Sequence, residues 1–158
     1  MRGKEKVIAQ LNDALRSELI AINQYFIHAE MCDNWGYHKL GSFIKKQSID
    51  EMKHAELFIE RILFLEGTPG MSMKLPLKVG ESVKTQLEND LALEHGAVTQ
   101  YNAAILVCAE EGDNTSRDLF EKLLGDEERH IDFLEAQLHL IKEIGLQNYL
   151  SKQMEAAS

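Results

Sequence analysis

Apolar residues recur at helical spacing through four long stretches of the chain, and each stretch carries an acidic residue in the middle of its apolar stripe. The first stripe reads Val7, Leu11, Ala14, Leu15, Glu18, Ile22, Tyr25 and predicts a helix from about Lys4 to Asn34. The second reads Phe43, Ile44, Gln47, Glu51, His54, Phe58, Ile62, within a helix from about His38 to Glu66. Leu87, Leu91, Glu94, Val98, Tyr101 and Ile105 mark a third helix, from about Glu81 to Glu111. Phe120, Leu123, Leu124, Glu127, His130, Leu134 and Leu138 mark a fourth, from about Thr115 to Glu143. A short last helix, about Leu146 to Gln153, is expected after Gly145.

Breaks between the stripes set the topology. Trp35-Gly36-Tyr37 and Gly112-Asp113-Asn114 are short turns, with Asn114 a plausible N-cap, so the helices on either side must be antiparallel. Gly67 to Gly80 holds both prolines and, stretched out, reaches about 45 Å, the length of a helix of about 30 residues. It can cross the whole bundle and leave the second and third helices parallel. Two short turns and one long crossover predict an all-α, ferritin-like four-helix bundle.

The chain also matches itself at an offset of 76 residues, which lays Val7 on Val83, Leu11 on Leu87, Gln24-Tyr25 on Gln100-Tyr101, Cys32 on Cys108, Gly36 on Gly112 and Asp50 on Asp126. It reads as a duplicated helical hairpin. Glu18 with Glu51-x-x-His54 in one half therefore repeats as Glu94 with Glu127-x-x-His130 in the other. On a helix the Glu-x-x-His pair shares one face, and each ligand lies near its helix midpoint, so all six side chains can converge at one level of the bundle. Each unpaired buried carboxylate would cost several kcal/mol, comparable to the whole stability of a small domain. Two divalent cations cancel that charge. One Glu-x-x-His pair would be a weak signal; two copies in register, each with a third carboxylate, point to a two-metal site with Glu18, Glu51, His54, Glu94, Glu127 and His130 as ligands. Oxygen-rich ligation with one His per ion suits iron or manganese better than structural zinc, and iron can pass electrons to O2 or peroxide. Tyr25 and Tyr101, two turns beyond Glu18 and Glu94, are candidates to hydrogen-bond the carboxylates of facing helices.

At 158 residues and 44% hydrophobic, the sequence suits one domain, spanning residues 1–158. Its formal charge of -9 disfavours nucleic acid and anionic membranes as partners. No signal-peptide pattern and no membrane-length apolar run occurs, which makes the cytoplasm the expected location. Cys32 and Cys108 lack Cys-x-x-Cys spacing and read as reduced core thiols. His28, His38, His95 and His139 have no matching partner pattern and read as surface or interface residues.

On Ser48-Ile49-Asp50-Glu51-Met52-Lys53-His54-Ala55-Glu56, Arg61-Ile62-Leu63-Phe64-Leu65-Glu66-Gly67, Glu18-Leu19-Ile20-Ala21-Ile22-Asn23-Gln24-Tyr25-Phe26 and Ile144-Gly145-Leu146-Gln147-Asn148-Tyr149-Leu150, the chain resembles the bacterioferritins over nearly its whole length. The six ligand positions of that family fall on the six residues above. The resemblance implies a hollow shell of twenty-four subunits that oxidises Fe(II) with O2 or peroxide and stores ferric mineral. It implies a haem b at a two-fold axis, held by Met52 from each of two subunits, and a ferredoxin as electron donor. The sequence pattern independently puts Met52 about 100° round the helix from Glu51, outside the inner stripe, in the company of Ile49, Ile59 and Leu63. Leu19, Ile20, Phe26 and Ile27 on the first helix also call for a second burial surface, which a dimer provides.

The chain departs from the family at one place. Some members carry His at position 46, where with Asp50 it holds iron on the inner shell surface; here Lys46 repels Fe(II), and that accessory site is not expected. Asp50 and Asp126 read as solvated positions, with mineral nucleation as the other reading. Glu110, Glu111, Asp113, Asp118 and Glu121 form an acidic run that can focus Fe(II), or is simply a wet face. The alternatives are a haem-free bacterial ferritin, a di-iron peroxidase resembling rubrerythrin, which normally adds a Cys-x-x-Cys segment not found here, and a non-enzymatic helical scaffold.

Overall fold

A computed structural model describes residues 1–70 and 76–155, and its elements are all helices: α1 (Glu5–Asn34), α2 (His38–Phe64), α3 (Val83–Glu110), α4 (Asn114–Ile144) and α5 (Leu146–Gln153). Four long helices form the bundle, with α1 packed chiefly on α2 and α3 on α4, and α5 lies across one end. Helix positions agree with the sequence pattern to within two residues at each end. The caps differ in one instance: Asp113, not Asn114, caps α4 by accepting from the Ser116 N–H at 2.9 Å. An aspartate outside the helix offers its carboxylate to the first-turn N–H groups, whereas Asn114 already has helical backbone.

Both short turns close through a glycine with positive φ, Gly36 at 91° and Gly112 at 72°, positions equivalent under the duplication. The long connection begins beside α1's N-terminal half, where the Asn12 amide donates to the Thr68 carbonyl and accepts from the Gly70 N–H. It ends beside α1's C-terminal half, where the Lys78 N–H donates to Gln24 Oε1. It thus leaves at one end of the bundle and lands at the other, so α2 and α3 are parallel; its residues 71–75 lie outside the described residues. At the landing, Gly80 comes so close to Gln86 that a Cβ would sit 2.5 Å from the Gln86 backbone nitrogen.

Two apolar clusters divide the interior. One joins Leu11, Leu15, Phe58, Ile62, Tyr101 and Phe120 at the end holding the N-termini of α1 and α4. The other joins Tyr25, Cys32, Leu40, Ile44, Leu87, Leu134 and Tyr149 at the end covered by α5. Between them runs the level of the acidic residues. Phe43, expected on the inner stripe, is 42% exposed and stacks on Phe133 with ring centroids 3.8 Å apart, at the groove between α2 and α4. Ile20, expected outside the stripe, is buried. Cys32 and Cys108 are buried free thiols, and burial pushes them up to about 12 and about 11. No helix of the described residues is long and apolar enough to cross a membrane.

Candidate metal centre

Helices α1 and α3 each deliver one carboxylate to the middle of the bundle, Glu18 and Glu94; α2 and α4 each deliver a Glu and a His one turn apart. All four carboxylates are at most 1% exposed. Their ligand atoms fall into two groups, each within 4.8 Å: Glu18, Glu51, His54 and Glu127 in one, and Glu51, Glu94, Glu127 and His130 in the other. Glu51 and Glu127 belong to both. The imidazole rings stand 6.4 Å apart, one per group. This is a twofold arrangement in which two carboxylates can bridge two ions and one Glu and one His cap each of them.

Close spacing here does not amount to pairing. His130 Nδ1 lies 2.9 Å from Glu51 Oε1, yet neither atom has a hydrogen-bond partner, so both face shared space rather than each other. Glu18 Oε2, Glu94 Oε2 and Glu127 Oε2 are likewise buried without a partner. Five orphaned donor atoms converging from four helices fit a pair of cations and little else, since a buried acceptor left unmade costs about 1–3 kcal/mol and more when charged. The oxygen-and-imidazole donor set suits iron or manganese.

The buried charges shift one another's titration. Burial, reinforced by the Glu18 charge, pushes Glu51 well above the usual carboxylate range. Burial and the facing Glu127 raise Glu94 to about 8. Burial alone would lower His54, but hydrogen bonds to Glu127 and Glu18 outweigh it and carry it up to about 10; His130 is raised to about 9 against the same opposition by Glu127 and Glu94. Glu127 is lowered despite burial and the Glu18 charge, because Glu94 and the imidazoles of His130 and His54 lie against it. Metal binding must therefore release protons.

A ring of further residues orients the ligands. The Tyr25 hydroxyl donates to Glu94 and the Tyr101 hydroxyl to Glu18, each reaching across from the opposite half. Burial first, and then the charge of those carboxylates, raises both phenols well above their usual value, so they remain donors. On the outer side His54 Nε2 pairs with Asp126 Oδ2 at 2.9 Å, and His130 Nε2 lies 4.0 Å from Asp50 Oδ2. With its Nε2–H held by Asp126, His54 turns Nδ1 toward the centre. The sequence reads Asp50 and Asp126 as solvated or mineral-nucleating; Asp126 is instead half-buried and bound to His54. The signal was available: the 76-residue register puts the two aspartates on each other, one residue before Glu51 and Glu127, which both groups share.

His28 also departs from expectation. It is wholly buried, not on the surface, with Nδ1 2.9 Å from Asp90 Oδ1 while Nε2 accepts from the Gly80 N–H at 3.0 Å. Gln24 Nε2 donates to the same Asp90 at 2.9 Å. In the acidic run near Gly112, Asp113 is bound to Arg61 at 2.9 Å and Glu121 to Arg117 at 3.1 Å, so those two serve structure. Met52 is 55% exposed, beside exposed Ile49, while Phe26 adds an exposed ring on α1.

Two openings lead inward. On the α1–α3 side, small residues Ser17, Ala21, Gly96 and Ala97 line a cavity of about 220 Å³ floored by the four glutamates. On the α2–α4 side a cavity of about 490 Å³ reaches His54 and His130.

A duplicated hairpin with a long crossover and two bridged Glu-x-x-His groups is the architecture of the ferritin-like class, and the model of the Ferritin-like domain matches residues 8–144 of this chain. The chain is 50% identical over 155 residues to a bacterial ferritin of Synechocystis sp., covering 98% of this chain and 99% of that one. It is 48% identical over 149 residues to a bacterioferritin of Rhodobacter capsulatus (94% and 92% covered) and 44% identical over 149 residues to one of Mycolicibacterium paratuberculosis (94% of each). The chain belongs to the bacterioferritin family.

Proposed function

We propose that this chain is an iron-storage subunit whose central cluster is a ferroxidase site, oxidising Fe(II) to Fe(III) with O2 or peroxide. The observation that carries the reading is the sharing of Glu51 and Glu127 between two ligand groups, one imidazole in each. Two Fe(II) substrate ions held side by side supply two electrons together; O2 accepts them with two protons and leaves as hydrogen peroxide, or hydrogen peroxide accepts them with two protons and leaves as two waters. Glu18 and Glu94 cap the two ions, Glu51 and Glu127 bridge them, and His54 and His130 give neutral nitrogen ligands through Nδ1. Asp126 holds the outer ring nitrogen of His54, and Tyr25 and Tyr101 fix the capping carboxylates. Divalent ions displace the protons described above, and those protons are then available to the reduced oxidant.

Family membership and the exposed apolar surface around Met52 support a shell of twenty-four subunits built from two-fold dimers, working in the cytoplasm. Met52 fits a haem b ligand: its thioether projects from the bundle beside Ile49, and a second copy facing it would complete a bis-thioether pocket. Haem held there would pass electrons, with a ferredoxin as donor, to stored ferric mineral. An absorption spectrum of haem-loaded protein tests this part, since loss of the thioether signature in Met52→Leu is expected and its survival refutes the ligand.

Aerobic Fe(II) oxidation tests the centre. Glu18→Ala and His130→Ala are expected to slow it by at least tenfold while the circular dichroism stays helical; unchanged rates in both would sink the catalytic assignment.

A further inference from the structure

The α2–α4 cavity has a charge pattern that the centre does not explain. Lys46, Asp50 and Lys53 on α2 are matched under the 76-residue offset by Lys122, Asp126 and Arg129 on α4, and all six line the cavity. In each helix the two cations lie seven residues apart, two turns on one face, with the aspartate between them. The antiparallel helices therefore set four cations around the mouth. Asp126 holds the outer nitrogen of His54 and also pairs with Arg129, while Asp50 lies 4.0 Å from the outer nitrogen of His130. Four positive against two negative groups leaves a net positive opening in a chain whose formal charge is -9. Fe(II) is repelled by that mouth; an anion is drawn in.

Gln47 narrows the choice of anion. It lines the same cavity, is 4% exposed, and its Oε1 is buried with no hydrogen-bond partner, so the site asks for a donor as well as acceptors. Hydrogen phosphate supplies both: anionic oxygens for the lysines and a P–OH for Gln47. Sulfate at neutral pH has no such proton. The geometry points to the α2–α4 cavity as a hydrogen-phosphate site, one per subunit, set beside the two ligand imidazoles. There it keeps a hard anionic oxygen ligand at hand for ferric product. This purpose rests on the proposed centre, but the binding itself does not.

Calorimetric titration of metal-stripped protein with inorganic phosphate at fixed ionic strength tests it. One saturable site per chain is expected, with sulfate at least fivefold weaker. Lys46→Gln/Lys122→Gln should weaken phosphate binding at least tenfold, whereas Lys45→Gln/Lys84→Gln, which removes the same charge outside the cavity, should leave it unchanged. Gln47→Leu should bring phosphate down to the level of sulfate. Absence of saturable binding, equal loss in the two double variants, or sulfate matching phosphate in the wild type would each overturn the proposal, as would displacement of phosphate by a short oligodeoxynucleotide that binds more tightly. Because no iron is present, a negative result leaves the oxidation test of Glu18→Ala untouched, and the reverse also holds.

Discussion

The two ends of the bundle descend from the same duplicated hairpin, yet one is dry and the other is polar. At the end where α1 and α4 begin, Ala14 and Ala104 sit among Leu11, Phe58, Tyr101 and Phe120, and the three rings pack with centroids 5.3 to 5.6 Å apart. At the other end the equivalent positions are Asp90 and His28, joined to each other, to Gln24 and to Gly80. The difference follows the chain's path. The crossover touches both ends, but at the first its backbone is met by the partly exposed Asn12, whereas at the second its N–H and C=O groups are met by buried side chains. Gln24 takes the Lys78 N–H, His28 the Gly80 N–H, and Gln86 donates to the Gly80 carbonyl at 3.0 Å. Polar residues from both copies of the repeat thus meet at one end, where they anchor the loop.

The largest effect tests whether the charged middle, rather than either end, dominates the pH response. In metal-stripped protein Glu94 is raised from 4.5 to about 8, His130 from 6.5 to about 9 and His54 from 6.5 to about 10. Each raised group binds more protons folded than unfolded, so its stabilising contribution is complete below the unfolded value and is lost as pH rises through the folded one. Thermal midpoints should therefore fall steadily from about pH 5 to pH 10. Glu127, which is lowered, acts in the opposite sense, and only at pH values near or below its ordinary 4.5. A saturating divalent cation should flatten the slope. A slope unaffected by Glu94→Gln would show that the middle is not its source.

Next comes the dry end. Phe58→Ala removes a wholly buried ring from the aromatic cluster and should cost about 4 kcal/mol in urea unfolding. Its counterpart under the duplication is Leu134, also fully buried, so Leu134→Ala gives the matching measurement at the polar end. Asp90→Asn is expected to cost less, about 2 kcal/mol. It keeps the shape but turns a carboxylate that accepts from two side chains into an amide that can oppose one of them. If Asp90→Asn were neutral while His28→Ala was severe, His28 would be acting by packing, and the anchoring account of the polar end would fail.

These regions were not equally legible in the sequence. Periodicity gave the four helices, and the 76-residue register brought out the six residues that meet at the centre, because residues on inward stripes at matching depth converge. The sharing of Glu51 and Glu127 between the two groups follows from the same symmetry. What breaks the symmetry was hidden. His28 faces Asp90 across 62 residues of sequence, and nothing local marks either as buried. Asp126 was visible as a repeat partner of Asp50, but its role depends on a histidine of the other half. Phe43 fell on a helical stripe that turned out to face the α2–α4 groove, since a stripe wider than the core contact leaves its edge residues at the surface.

The smallest effect separates the helix starts at the two ends. Ser82 caps α3 at the polar end by accepting from the Thr85 N–H at 3.3 Å, and its hydroxyl also lies 3.0 Å from the Thr85 hydroxyl. Asp113 caps α4 at the dry end and does more. Burial would raise its carboxyl, yet the Ser116 N–H and hydroxyl, together with Arg61, hold it below the ordinary aspartate range. Arg61 comes from the last turn of α2, so that cap ties α2 to α4. Ser82→Ala should cost about 1 kcal/mol, the usual value of a lone cap, with the loss confined to hydrogen exchange in the first turn of α3. Asp113→Ala should cost more and loosen both α4's start and α2's last turn. If the two variants lost stability equally and locally, the Arg61 contact would contribute nothing, and the dry end would owe its rigidity to aromatic packing alone.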